Sequence, residues 1–266
     1  MWDIDFISQE QFDAHVETVI EAYRENIASV SVKEFNKNKV DSIKLMFDKY
    51  VNDVTWEHVI NSEILRQRDK SNNNIIGSFH QQIFNYIADC SVPPQGWDVI
   101  FTPQGRIEIQ DGLTVSTLFV EIKNKHNTLN ADSGKALYKK MQDKILADDD
   151  CACLLVEAIA TKSQNRNWIK TIDEKKKSHN RIRRVSIDKF YEIVTGDKRA
   201  FFQICDALPA AIGRVLENSH MTPSANDTVF SELRTIADEG ETSIDVALYM
   251  LGFEGYLGFP ESRRSS

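Results

Sequence analysis

The run Thr117-Leu118-Phe119-Val120-Glu121-Ile122-Lys123 governs the reading of the whole chain. Its aromatic and β-branched residues predict a strand. Strand alternation places Glu121 and Lys123 on one face and Ile122 on the other. An acid and a base two apart in an otherwise apolar strand are costly unless that face opens onto a site. Asp98 lies 23 residues earlier, in a short β-rich stretch, Trp97 to Phe101, behind the turn Pro93-Pro94-Gln95-Gly96. Adjacent strands would bring both carboxylates to one divalent cation and leave Lys123 beside a metal-bound water. Such an oxygen-rich, partly open donor set suits Mg²⁺ when a substrate supplies phosphate oxygens. A surface cross-strand ion pair is the alternative reading of Glu121 and Lys123.

Outward from that strand, the chain alternates in character. On its N-terminal side, Arg106 to Ile109 is expected to be the hairpin partner of Trp97–Phe101. On the other side, a helix is expected over Ser133–Leu146 and a buried strand over Ala152–Ile159. Helix, hairpin, strand, helix, strand is the pattern of an α/β core around a mixed sheet. The first 70 residues read as helices: Ser8 with Gln11 forms a capping box ahead of Phe12, Val16, Ile20, Tyr23 and Ile27 at helical spacing. Ser31 with Glu34 opens a second helix, with Met46, Phe47 and Tyr50 expected in the core. A third runs from Thr55 to Arg68 and stops at Lys70-Ser71-Asn72-Asn73-Asn74, before a fourth apolar face, Ile76, Phe79, Ile83 and Ile87. Past Val185 the chain turns helical again, with Asp188 and Asp197 as expected N-caps. The expected division is an N-terminal helical region (1–70), an α/β core (71–215), and a C-terminal helical region (216–266) whose last six residues form a disordered tail.

Longer strings sharpen the reading. Ile76-Gly77-Ser78-Phe79-His80-Gln81 precedes Gly96-Trp97-Asp98. Then come Val120-Glu121-Ile122-Lys123-Asn124-Lys125-His126-Asn127-Thr128 and Ser186-Ile187-Asp188-Lys189-Phe190-Tyr191-Glu192-Ile193-Val194-Thr195-Gly196. Asp98 with Glu121-x-Lys123 resembles the PD-(D/E)xK nuclease signature, with Trp97 in place of the usual proline. The longer strings resemble the type II restriction endonucleases that cut GGNCC and related sites, over roughly residues 70–215. The resemblance implies Mg²⁺-dependent cleavage of double-stranded DNA leaving 5′-phosphates, a prokaryotic cytoplasm, and a cognate methyltransferase in the same system. It further implies that Asp98, Glu121 and the Ile122 carbonyl hold the metal, while Lys123 orients or deprotonates the attacking water. Many members carry an acid on the preceding helix; here that helix offers His80, Gln81 and Gln82, so Gln81 is the candidate to hold a metal-bound water.

Charge distribution fits a DNA enzyme better than the net value of −8 suggests. Residues 121–190 hold 16 Lys/Arg against 10 Asp/Glu, whereas residues 1–120 hold 10 against 18 and residues 191–266 hold 6 against 12. A basic middle between acidic flanks is the pattern of a basic cleft on an acidic body. Asn124, Lys125, His126 and Asn127 follow the acid strand directly and are expected at a phosphate or groove edge. Lys162, Gln164, Asn165, Arg166 and Asn167 are candidate base readers, since Arg pairs bidentately with guanine and Asn/Gln with adenine. Lys175, Lys176, Lys177, His179, Arg181, Arg183 and Arg184 add phosphate-binding capacity; a solvated loop or a localisation signal is the alternative for that run.

Four scattered cysteines make no disulfide framework, and Cys151 and Cys153 read as buried thiols. Trp168 reads equally as a core anchor or a groove contact, and His15 as a surface or capping residue. No apolar run approaches a membrane span, and the acidic start Met1-Trp2-Asp3-Ile4-Asp5 is unlike a secretory signal. A homodimer is expected on a palindromic target, one subunit to each half, with sequential visits by one active site as the alternative. A repair or recombination nuclease of the same fold, or a non-catalytic DNA-binding module, are the competing readings.

Overall fold

The structure, a computed structural model, describes residues 2–27, 30–110, 112–126, 128–172, 174–217 and 227–252. The chain divides into two compact units: Met1–Glu21 with Asn74–His220, and Ala22–Asn73 with Met221–Ser266.

The first unit is built on a six-stranded mixed sheet. Its strands, in spatial order, are β1 (Cys90–Ser91), β2 (Val99–Phe101), β5 (Thr117–Lys125), β6 (Cys151–Ile159), β10 (Ile182–Ser186) and β7 (Asn165–Asn167). β5, β6 and β10 run parallel, and β1, β2 and β7 complete the edges antiparallel. Parallel strands buried on both faces read as continuous apolar runs, and β6 is that case, buried from Cys151 to Ala158. Leu118, Val120 and Ile122 of β5 pack into one cluster with Ala152, Leu154 and Val156, against α6 (Ile187–Thr195) and α7 (Ala200–Glu217). Cys151, Cys153 and Leu155 face the other way, with Phe119 beside them, and pack against Leu137, Tyr138, Met141 and Ile145 of α5 (Ala131–Ala147). The cysteines are therefore buried thiols, as their spacing suggested. Trp168 is a core anchor, its ring edge-to-face with Tyr138 at 5.4 Å between centroids.

Several expected elements are drawn differently. Arg106–Ile109 does not pair with β2; β3 (Ile107–Gln110) pairs with β4 (Leu113–Val115) as a separate ribbon, because a positive-φ glycine, Gly112, lets the chain turn back at once. β8 (Lys170–Ile172) and β9 (Lys175–Lys177) form a second ribbon. The N-cap of α6 is Ser186, two residues ahead of the expected Asp188, which lies in the first turn. The capping box is present: the Ser8 and Gln11 N–H groups donate to each other's side chains, ahead of α1 (Gln9–Ile27). His15 is no surface residue; it is buried, stacks on Phe79 and bonds the Phe79 carbonyl at 3.0 Å.

The second unit is helical, with a core of Phe35, Leu45, Val59, Ile60, Leu233, Leu248 and neighbours. The helix expected from Ser31 is split into α2 (Val32–Phe35) and α3 (Ser42–Val51). A 3₁₀ turn at Asn36–Asn38 and a left-handed Lys39 part them, and Asp41 caps α3 through the Lys44 N–H. Phe47 and Tyr50, expected in the core, are 66% and 64% exposed, because the split turns that face outward. The polar run at Lys70–Asn74 does not end a helix either: α4 is continuous from Trp56 to Gln82. Ser and Asn only lower helix propensity, Lys favours a helix, and no proline or glycine stands there to break it. The unit is completed by α8 (Val229–Glu239) and α9 (Ile244–Gly252). The expected tail at 261–266 lies outside the described residues.

Candidate active site

Asp98 sits just before β2, tied to β5 twice. Its N–H donates to the Val120 carbonyl at 3.0 Å, and its Oδ2 accepts the Ile122 N–H at 2.7 Å. Antiparallel pairing with Val99 opposite Val120 therefore delivers the carboxylate to the strand that carries Glu121 and Lys123. Glu121 and Lys123 share the α5 side of the sheet. The Lys123 Nζ lies 3.4 Å from Glu121 Oε2 and 3.8 Å from Asp98 Oδ2. The three residues meet at one point. Burial pushes the Asp98 carboxyl up, and nearby Glu121 adds to that, against the Ile122 N–H and the Lys123 and Lys140 ammonium groups. Two half-buried carboxylates held together in this way favour a bound cation.

Gln81, at the end of α4, shares a cleft of about 480 Å³ with Asp98, Trp97, Gly96 and the Pro93-Pro94 turn. Gln81 therefore lines the same space as Asp98.

Two site residues escaped the sequence reading. Lys140 reaches from α5 to Glu121 Oε1 and to the Gly96 carbonyl, with its ammonium 4.1 Å from the Trp97 ring centroid. Nothing in the Lys139-Lys140 pair marks it, because helix periodicity alone does not say which lysine faces a sheet. Glu157 lies opposite Lys123 in the parallel β5–β6 register and is only 2% exposed. It accepts from Arg184 Nε at 2.9 Å and Nη2 at 2.5 Å, and Arg184 also donates to the His126 carbonyl at 3.1 Å. An acid inside the apolar run Cys151–Ile159 was the available signal.

The candidate DNA residues separate by strand face. Arg166 is exposed and lies opposite Arg184 in the β7–β10 register, which puts it on the side of the sheet that carries Glu121. Asn165 and Asn167 point the other way, and both Oδ1 atoms accept from the buried Arg183, at 2.5 and 2.8 Å. Arg183 is 4% exposed and also donates to Gln110 Oε1 and to the Asn165 and Asn180 carbonyls. It is a structural arginine within the unit, not a surface cation. Arg181 likewise turns inward, donating to the Ile145 and Asp148 carbonyls at the end of α5 and to the Cys151 carbonyl at the start of β6. His179 Nδ1 accepts the Arg181 N–H at 3.1 Å. Gln164 is buried beside Ser186. Lys125, Lys162, Lys175, Lys176 and Lys177 are exposed, Asn124 is half-buried, and Asn127 lies outside the described residues.

A mixed sheet with two carboxylates and a lysine converging on one face is the arrangement found in nucleases of the PD-(D/E)xK class. The family model for the Eco47II restriction endonuclease matches residues 4–217. The chain belongs to that family of restriction endonucleases, enzymes that cut double-stranded DNA at specific sequences. It is 29% identical to the type II restriction enzyme Sau96I of Staphylococcus aureus, over 96% of this chain and 98% of that protein. It is 28% identical to the type II restriction enzyme Eco47II of Escherichia coli, over 80% of this chain and 88% of that protein. Family members work with a divalent metal ion. Among the described residues, no helix is long and apolar enough to cross a membrane.

Proposed function

We propose that Asp98, Glu121 and Lys123 are the catalytic core and that Mg²⁺ is the metal. The observation that carries this reading is the convergence of Lys123 Nζ on both carboxylates. The donor set fits: two carboxylates and the backbone carbonyl of Ile122 are hard oxygen ligands, and no soft sulfur or imidazole ligand is proposed among them. When bound, the metal polarises the scissile phosphate and lowers the pKa of the attacking water. The chain's own residues do the rest. Lys123 orients that water through Nζ and offsets the negative charge that builds on the phosphate oxygens. Gln81 holds a water in the cleft it shares with Asp98. We place the nuclease core at 71–215 together with Met1–Glu21, which falls in the same compact unit.

The proposed target is a short GC-rich palindrome, GGNCC or a close relative, cut by a homodimer in a prokaryotic cytoplasm and protected by a cognate methyltransferase. Exposed Lys125, Lys162, Lys175, Lys176 and Lys177 grip phosphates, and Arg166 reads a base. Digestion of phage DNA with the purified protein and Mg²⁺ tests this: discrete bands are expected, and a smear would overturn it. In the same assay Glu121→Ala and Lys123→Ala are expected to lose cleavage while retaining specific binding in Ca²⁺, which holds phosphate loosely and activates water poorly. A Lys123→Ala enzyme that cut at the wild-type rate would remove Lys123 from the mechanism.

A further inference from the structure

We propose that Lys140 is a built-in competitor for the metal ion: an ammonium that neutralises Glu121 in the metal-free enzyme and has to move away when the divalent cation binds. This inference rests on the assignment of Asp98 and Glu121 as metal ligands. Both oxygens of Glu121 are already taken by ammonium groups, Oε2 by Lys123 and Oε1 by Lys140. With Asp98, the cluster balances two carboxylates against two lysines. A divalent cation adds two charges to this balanced cluster and would leave it at about +2 with both lysines in place, so a lysine has to give way.

Geometry selects which one leaves. Lys123 is fixed by its strand beside both acids, and its position is the one the chemistry uses. Lys140 comes from a different element, α5, and its side chain is 38% exposed. It bonds Glu121 and the Gly96 carbonyl together, both oxygen acceptors, as a small cation would be held. The Trp97 ring, its centroid 4.1 Å from the ammonium, gives the cation a second stabilising surface besides the carboxylate. Withdrawal from Glu121 therefore does not strand a charge in an apolar interior.

The consequence is a metal affinity held down by Lys140. Isothermal titration of the DNA-free protein with Mg²⁺ or Ca²⁺ measures it directly, independently of cleavage. Lys140→Met is expected to tighten metal binding by at least about tenfold, since the competing ion pair in a half-buried site is gone. Lys140→Arg keeps the competing charge and is expected to bind metal no more tightly than wild type. Thermal unfolding gives a second readout: added metal should raise the Tm of Lys140→Met more than that of wild type, even if that variant is less stable without metal. Equal or weaker metal binding by Lys140→Met, with equal Tm increments, would overturn the proposal. Glu121→Gln separates the two readings. If wild type binds metal and Glu121→Gln does not, the ligand assignment stands whatever Lys140→Met does. If Glu121→Gln binds metal as wild type does, the ligand assignment itself falls.

Discussion

The identity of a single side chain carried unequal information at different points of this chain. Glu121 and Lys123 were legible because they are charged residues at period-two spacing in an apolar strand. Arg183 and Arg184 were not, although they are adjacent and chemically identical. β10 alternation sends Arg183 into the cluster with Asn165, Asn167 and Gln110, and Arg184 to Glu157 on the Glu121 side. A run of basic residues shows its charge in the sequence but not the parity of the strand it forms. Buried His15 and half-buried His80 show a similar gap, and His80 makes a pH prediction. Burial, and to a lesser degree His15, pushes the His80 imidazole down from 6.5 to about 4. The folded state therefore keeps it neutral where the unfolded chain takes up a proton. Stability is complete above about 6.5 and is lost as pH falls toward 4. Between pH 7 and pH 5 the loss should be about 2 kcal/mol, because one proton bound only by the unfolded chain is worth about 1.4 kcal/mol for each pH step of one. Urea unfolding at the two pH values measures it, and His80→Gln should flatten the difference. An unchanged slope in that variant would assign the acid sensitivity to other groups.

At the scale of elements, strands were easier to read than helix boundaries. β5, β6 and α5 appear where alternation and apolar runs put them, because buried parallel strands leave few other arrangements. Helix ends failed where the local signal was weak: Lys70–Asn74 only lowers propensity, and α4 runs through it. The β8–β9 ribbon was also missed, since Lys175-Lys176-Lys177 looks like a loop. Its register sets Lys170 directly opposite Lys177, a like-charge pair that is unfavourable in isolation and is relieved by a polyanion. The ribbon is thus the element expected to grip phosphates. Neutralising Lys175, Lys176 and Lys177 together should weaken binding to all duplexes, and every phosphate no longer gripped should flatten the log–log salt slope by about 0.9. Arg166→Ala should instead cost about 1–3 kcal/mol, chiefly on cognate DNA. Anisotropy titrations of cognate and random duplexes over a salt series separate the two. Equal weakening of both duplexes by Arg166→Ala would make Arg166 a phosphate contact.

At the scale of the whole molecule, the chain combines a net charge of −8 with a polyanionic substrate. Like-charge repulsion would steer DNA toward the basic middle segment and leave the acidic flanks for other contacts. The proposed homodimer follows from the count of active sites. One proposed Asp98/Glu121/Lys123 set would cut one strand, so a double-strand break needs two sets or two visits. A two-fold dimer supplies both at once and makes the target palindromic, with an unread central base pair on the axis. The outward stripe of α3 is the surface we expect at that axis: Ile43, Phe47, Tyr50 and Val51 are 52%, 66%, 64% and 75% exposed on one helix face. A contiguous apolar stripe of this kind marks an interaction surface more often than a solvated one. Sedimentation with and without a short cognate duplex should give two protein chains per duplex for wild type. Phe47→Asp with Val51→Asp should shift the protein toward monomer and convert double-strand cutting into nicking, while each chain keeps its own catalytic set. A monomeric wild-type complex that still cuts both strands would mean sequential nicking, and the dimer would be given up. A dimer indifferent to the α3 substitutions would keep the two-fold symmetry and move the interface to another helix.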